Sequence, residues 1–278
     1  LADEYIKAWA GKDNDRVRGV LWWDARLGET LLSDITPELI REKLNPTKSK
    51  APATYNKHLV VVSSILNFAT LQQEDDDITE QYITHNPCKE VRSLKVDNKR
   101  VRYLSDDEKP RLLKAAKIIG GKFHLKVLMA LTTGMRKGEL DGLRWHDIDF
   151  ERGLALLHDT KNGTARHTPI PDVIMAELKK NREVGNTLLF PSTIDPEKPF
   201  DYRKKWFACL KAANIKDFRW HDMRHDTAST LARDGKTLKE IAEILGHKSL
   251  ASTDRYTHLC TEHKSQLLNE TMNKSISI

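Results

Sequence analysis

Three runs decide how this chain reads: TGMRKGELDGLRWHDIDF at residues 133–150, WHDMRHDTAST at 220–230 and ILGHKSLASTDRYTHL at 244–259. In the first, Gly134 breaks one helical pattern and a short helix carries Arg136 to Leu143. Glu139 stands three residues after Arg136, on the same helix face, where it can hold the guanidinium. In the second, His221 and Arg224 share a face at the start of a helix over 221–234 and can meet one phosphate together. In the third, a helix over 237–245 ends at Gly246, His247 follows, and Tyr256 comes nine residues later on a short helix over 249–258 begun by Ser249 or Ser252. Taken singly, each run has an ordinary explanation: a surface ion pair, a capped helix, a half-buried tyrosine.

Working outward, residues 153–170 read as a β-hairpin, because Asn162-Gly163 between extended runs is a strong turn signal. Lys161 stands immediately before that turn, where a lysine can swing into a cleft and deliver a proton. Helical patterns cover about 106–119, 122–132, 172–182 and 201–213, so the region is mainly α with a small antiparallel sheet, an α+β class. Ser105 followed by Asp106, Asp107 and Glu108 is a helix-start signal.

Upstream, residues 1–95 read as a helical bundle, 96–103 as a basic linker and 104–278 as a second domain with a carboxy-terminal tail. Residues 1–10 form an amphipathic helix using Ile6 and Trp9, and Thr36-Pro37 starts another. The clearest helix runs from about Thr54 to Leu71, with Leu59, Val62, Leu66 and Ala69 on one stripe and Ile65 beside it. The basic stretch NPTKSKAP ahead of it reads as a loop, and so does the acidic run Glu74–Asp77. Thr54 and Lys57, off the stripe, are candidate DNA contacts, as are Lys99, Arg100 and Arg102 in the linker, although a solvated hinge explains those three equally well. The tail from about Lys264, with Leu267, Leu268 and Met272, either docks on a neighbouring copy or folds on its own domain.

The 278 residues, 39% hydrophobic and 31% charged, describe a chain that can bury real cores rather than a disordered one. The net charge of +6 is uneven. Residues 1–97 hold 13 Lys+Arg against 16 Asp+Glu, while residues 98–278 hold 33 against 24. The excess of cations thus lies where the three runs lie, which favours a polyanionic partner there. No apolar run approaches the roughly 18 residues of a membrane span. Cys88, Cys209 and Cys260 form no CxxC pair and read as reduced thiols of a cytoplasmic protein. The start has no signal peptide and no initiator Met, and reads as an internal cut in a longer chain.

Arg136, Lys161, His221, Arg224, His247 and Tyr256 together are five basic groups and one phenol, a set suited to attack of the phenol on a phosphodiester. Fixed cations can carry the transition-state charge, so the chemistry asks for no metal and no cofactor. His221 and His225 are four apart, as in some zinc helices, but that motif wants HExxH and the run here is HDMRH with no third ligand evident. His225 then reads as an ordinary surface histidine.

In order and spacing, the three runs resemble the tyrosine recombinases, the phage integrase family, over about 104–262. The helix TYNKHLVVVSSILNFA resembles, less closely, the helical core-binding (SAM-like) domain of that family. The resemblance implies a site-specific recombinase of a phage or mobile element, with Tyr256 forming a 3′-phosphotyrosyl link. It further implies Arg136, Arg224 and His247 on the phosphate, Lys161 as general acid and His221 as general base. The implied partners are double-stranded DNA attachment sites, a homotetramer on DNA and accessory DNA-bending or directionality proteins, with no membrane. Larger integrases carry a further amino-terminal arm-binding domain, consistent with a truncated start. Two rivals remain at this point. TLKEIAEILGHKSLASTDRYTH could be the helix-turn-helix of a non-enzymatic regulator, and a type IB topoisomerase uses similar chemistry on one duplex.

Overall fold

The structure, a computed structural model, describes residues 1–278 except 10, 12–13, 50, 71–81, 97–99, 101, 159–164, 184–186, 248 and 277–278, and of 261–264, 266 and 270 the backbone alone. The chain divides into two compact units, Leu1–Asn98 and Lys99–Ile278.

The first unit holds α1 (Ala2–Ala8), α2 (Asn14–Leu27), α3 (Pro37–Lys48) and α4 (Pro52–Thr70), with single 3-10 turns at Leu32–Asp34 and Pro87–Glu90. Pro37 opens α3 as expected, and the Thr36 side chain accepts from Leu39 N at 3.2 Å. The expected stripe of α4 is buried, joined by Tyr55 and Val61, and packs with Val20 and Trp23 of α2 and Ile40 and Leu44 of α3. Two expectations need correction. The buried residue of α1 is Tyr5, whose hydroxyl accepts from Arg16 at 2.7 Å, and Trp9 lies beyond the helix end. The stretch NPTK is the last turn of α3 rather than loop, because Thr47 is buried there and donates its hydroxyl to Leu44 O at 2.6 Å. The acidic run Glu74–Asp77 lies outside the described residues.

The second unit runs α5 (Glu108–Ile119), α6 (Gly121–Thr133), α7 (Lys137–Gly142), β1 (Ile148–Asp149), β2 (Leu154–Leu157), β3 (Arg166–Pro169), α8 (Asp172–Lys180), α9 (Arg203–Ala212), α10 (Asp222–Arg233), α11 (Leu238–Leu245) and α12 (Thr257–Ser275). Ser105 and Glu108 exchange hydrogen bonds at 3.0 and 3.1 Å, the reciprocal arrangement their spacing predicted. The sheet is antiparallel in the order β1-β2-β3, with Leu154 opposite Pro169 and Leu157 opposite Arg166. The two-residue β1 was not legible in the sequence because it is too short to show a period of two. Residues 249–258 form two 3-10 turns, Leu250–Ser252 and Asp254–Tyr256, rather than one short helix, and α12 begins directly after Tyr256.

The main core gathers α5, α6, the sheet, α8 and α9. A smaller cluster (Ala228 and Ala232 of α10, Ile241 and Leu245 of α11, then Tyr256, Leu259 and Cys260) sits apart from it. Tyr256 is therefore held as a core residue, 2% exposed. No helix among the described residues is long and apolar enough to cross a membrane.

Candidate active site

The site is organised by the carboxy-terminal end of α11. Gly246 closes that helix in the left-handed region (φ 66°), and a Cβ there would come within 2.4 Å of Arg166 Nε. Three consecutive carbonyls at this end each accept from a different arginine. Ile244 O accepts from Arg166 at 3.3 Å, Leu245 O from Arg224 at 2.7 Å and Gly246 O from Arg136 at 3.2 Å. Helix-end carbonyls lack partners within the helix and carry partial negative charge, so they suit cations. Arg224 also donates at 2.6 Å to the carbonyl of Gly134, the left-handed cap of α6. One guanidinium thus ties two helix ends together. Burial and the Arg136 charge push Arg224 down to about 10, which still leaves it protonated at neutral pH.

Glu139 balances this cluster. Its buried carboxylate accepts from Arg136 N at 2.8 Å, from the Arg136 guanidinium at 2.8 Å and from Arg166 at 3.1 Å. Burial opposes ionisation of Glu139, but these hydrogen bonds and cations outweigh it and hold the carboxyl below its usual range. Glu139→Ala would leave Arg136, Arg166 and Arg224 facing one another around an uncompensated site. The expected destabilisation is about 3–5 kcal/mol, the cost of breaking a buried pair, read from denaturant unfolding. A loss under about 1 kcal/mol would show that Glu139 is not the counter-charge.

The Tyr256 hydroxyl lies 2.5 Å from Nδ1 of His225. Burial raises the phenol to about 12, against the pull of Arg255 and Arg224, and lowers the His225 imidazole to about 4. At neutral pH both are uncharged, so the phenol donates and Nδ1 accepts. The His221 ring stands 5.3 Å from that of His225. His221 keeps an exposed face, yet partial burial and the Arg224 charge lower its pKa. His247 holds its Nδ1 2.8 Å from the hydroxyl of the buried Thr253. Burial, then Arg224 and Arg136, lower it to about 4.

These depressed histidines carry a signed consequence. Unfolded, each takes up a proton near its usual 6.5, whereas folded it resists until about 4. Between those values the unfolded chain binds more protons, so stability falls as pH drops through that window. A melting temperature lower at pH 5 than at pH 7 is expected, with a smaller drop in His225→Asn. An equal drop in both proteins would rule His225 out as a contributor.

Of the six residues singled out in the sequence, Arg136, His221, Arg224, His247 and Tyr256 gather around the ends of α10 and α11, and Lys161 lies outside the described residues. Two members went unread. His225 was visible four residues after His221 but passed as a surface histidine; nothing local shows that Tyr256, 31 positions on, folds back onto it. Arg166, at the start of β3, gives no signal in sequence at all. The linker cations also have other duties. Arg100 pairs with Asp217 at 2.6 Å and Asp222 at 2.8 Å, and Arg102 with Glu108 at 2.6 Å, so both are engaged within the second unit instead of extended along a linker. Lys99 lies outside the described residues. Lys57 pairs with Asp15 at 3.0 Å, and Thr54 is half-buried in the first turn of α4.

Residues 102–263 match the phage integrase family, and the chain belongs to it. Among curated relatives, a shufflon-specific DNA recombinase of Escherichia coli is 31% identical over 78% of this chain and 54% of its own length. The integrase of Salmonella phage P22 is 29% identical over 79% of this chain and 57% of its own. The chain thus spans a little more than half of the length of these relatives. In fold it is similar to a lambda integrase dimer bound to a COC′ core site (TM-score 0.69, 23% identity, 92% of this chain and 75% of that one). It is likewise similar to the XerH recombinase bound to a palindromic difH substrate (TM-score 0.70, 22% identity, 94% and 78%).

Proposed function

We propose that the chain is the DNA-cleaving and rejoining part of a site-specific recombinase of a phage or mobile element, acting through a 3′-phosphotyrosyl link at Tyr256. The observation that carries this is the gathering of Arg136, Arg224, His221 and His247 around a phenol bonded to His225, in a chain of the phage integrase family. In the reaction, the Tyr256 oxygen bonds to the scissile phosphorus and the P–O5′ bond breaks, leaving a 5′-hydroxyl strand. Arg136 and Arg224 neutralise the non-bridging oxygens, and His247, oriented through Nδ1, offers Nε2 to the same phosphate. Lys161 gives the departing 5′-oxygen its proton. His225, rather than His221, takes up the phenolic hydrogen, because it is the group within bonding distance of that hydroxyl. Attack by a 5′-hydroxyl from a partner strand reverses the step without ATP.

His225→Ala should therefore lower the cleavage rate by about 10²-fold, within the usual range for a positioned proton acceptor, and leave DNA affinity unchanged. If His221→Ala were crippled and His225→Ala were not, the proton would belong to His221.

The first unit supplies helical core-type DNA contacts in this reading. Lys57 suits that task, since its pair with Asp15 is an exposed one of small worth that a phosphate can displace. The partner is double-stranded DNA at attachment sites, with copies of the chain joined on it as a tetramer. Leu267, Leu268 and Met272 of α12 are about half exposed and suit docking on a neighbouring copy. Affinity should fall steeply with salt. The decisive assay offers two different duplexes and a supercoiled circle. Joining of the duplexes supports a recombinase, relaxation alone a type IB topoisomerase, and reversible binding alone a helix-turn-helix regulator.

A further inference from the structure

Away from this chemistry, the 3-10 turn Trp145–Asp147 and the end of β2 bring two imidazoles onto one carboxylate oxygen. Nε2 of His158 lies 2.8 Å from Asp147 Oδ1, and Nε2 of His146 lies 3.1 Å from the same atom. Among the described residues this group sets three ligand atoms within 4.8 Å of one another. The other carboxylate oxygen of Asp147 accepts from Arg144 N at 2.9 Å, which fixes the carboxylate and turns Oδ1 toward the rings. That is the bond by which a metal ligand is usually held from behind. Asp147 is buried while both histidines are exposed, so an ion could enter from solvent.

We infer that His146, Asp147 and His158 form a binding site for a borderline divalent transition-metal ion of the Zn²⁺ class. Zn²⁺ takes imidazole nitrogen and carboxylate oxygen at about 2.0–2.2 Å in a tetrahedron, which sets neighbouring ligands about 3.3 Å apart. The spacings of 2.8 and 3.1 Å are already close to that edge, so small ring movements admit the ion. Two neutral imidazoles and one carboxylate favour Zn²⁺, Co²⁺ or Ni²⁺ over the oxygen-seeking Mg²⁺ and Ca²⁺. A fourth position remains for water, beside a cavity of about 200 Å³ lined by Gly138, Gly142, Leu143 and Leu156. The Arg144 guanidinium, a cation also at this cavity, pairs with Glu197 at 3.1 Å. The ion takes no part in strand transfer. It staples the turn after α7 to the exit of β2, three residues before Lys161.

The test is calorimetric titration of the metal-stripped chain with Zn²⁺, alongside the visible spectrum of the Co²⁺ form. One ion per chain is expected, with a tetrahedral Co²⁺ spectrum and no heat from Mg²⁺. His146→Gln and His158→Gln, both at exposed positions, should each weaken binding by at least about 100-fold, since losing a ligand costs no less than the roughly 10–100-fold of losing one of its outer-shell partners. Absence of binding below millimolar Zn²⁺ overturns the proposal. Binding that survives both variants but is lost in His225→Gln overturns it too, by moving the ion to the His221–His225 pair. DNA cleavage by His146→Gln and His158→Gln should match that of the unchanged protein, with or without Zn²⁺, so this result stands apart from the strand-transfer reading.

Discussion

Tyr256→Phe is expected to form no covalent adduct with a nicked, suicide-type DNA substrate, while the unchanged protein converts it to a stable protein–DNA species. The substitution removes one oxygen from a ring packed in the cluster of α10, α11 and α12, so the fold and DNA binding should persist. It deletes the proposed nucleophile and leaves the arginines, which cannot attack a phosphate, and His225, the partner of that hydroxyl. Residual covalent capture in this variant above background would assign the nucleophile elsewhere. Retention of binding matters equally, since a variant that failed to bind would report folding instead of chemistry. Tyr256 is buried with its hydroxyl on His225, so the phenol must become accessible before a phosphate can reach it. Capture should consequently be slow relative to binding.

Arg136→Ala is the second large effect. Removing one donor to developing negative charge typically costs about 10²–10³ in rate. Arg136 has the exposure to reach a phosphate, with its side chain 24% accessible, whereas Arg224 is buried and ties two helix ends. Glu139 keeps Arg166 as a partner in the variant, so the fold should tolerate the change better than loss of Glu139 itself. Single-turnover cleavage should fall by about 10²–10³ with DNA affinity changed less than tenfold. An equal fall in both would make Arg136 a binding residue only. Arg136→Lys should recover little, because an ammonium cannot present the paired donors of a guanidinium.

The runs around Arg136 and Arg224 were legible because their spacings reflect local helix geometry, whereas the run around Tyr256, two 3-10 turns in the structure, was legible through the family resemblance. Gly134 and Gly246 had to be glycine where the chain turns left-handed, and Glu139 sits one helical turn from Arg136. The stripe of α4 was legible for the same reason. What sequence could not show is long-range return of the chain. Arg166 reaches Glu139 from 27 positions away and Ile244 from 78, and His225 meets Tyr256 across 31. The basic segment before α5 misled because charge alone does not distinguish a solvated linker from arginines already paired with Asp217, Asp222 and Glu108. The NPTK stretch misled because turn-forming residues say nothing about whether a threonine among them will be buried.

The most direct measurement is the mass of the proteolytic peptide that carries DNA after trapping. The account predicts a single modified peptide, containing Tyr256, joined to the 3′-phosphate of the cut strand and leaving a 5′-hydroxyl on the other side. A link at any other residue, or a cut that leaves a 5′-phosphate on the departing strand, would contradict it.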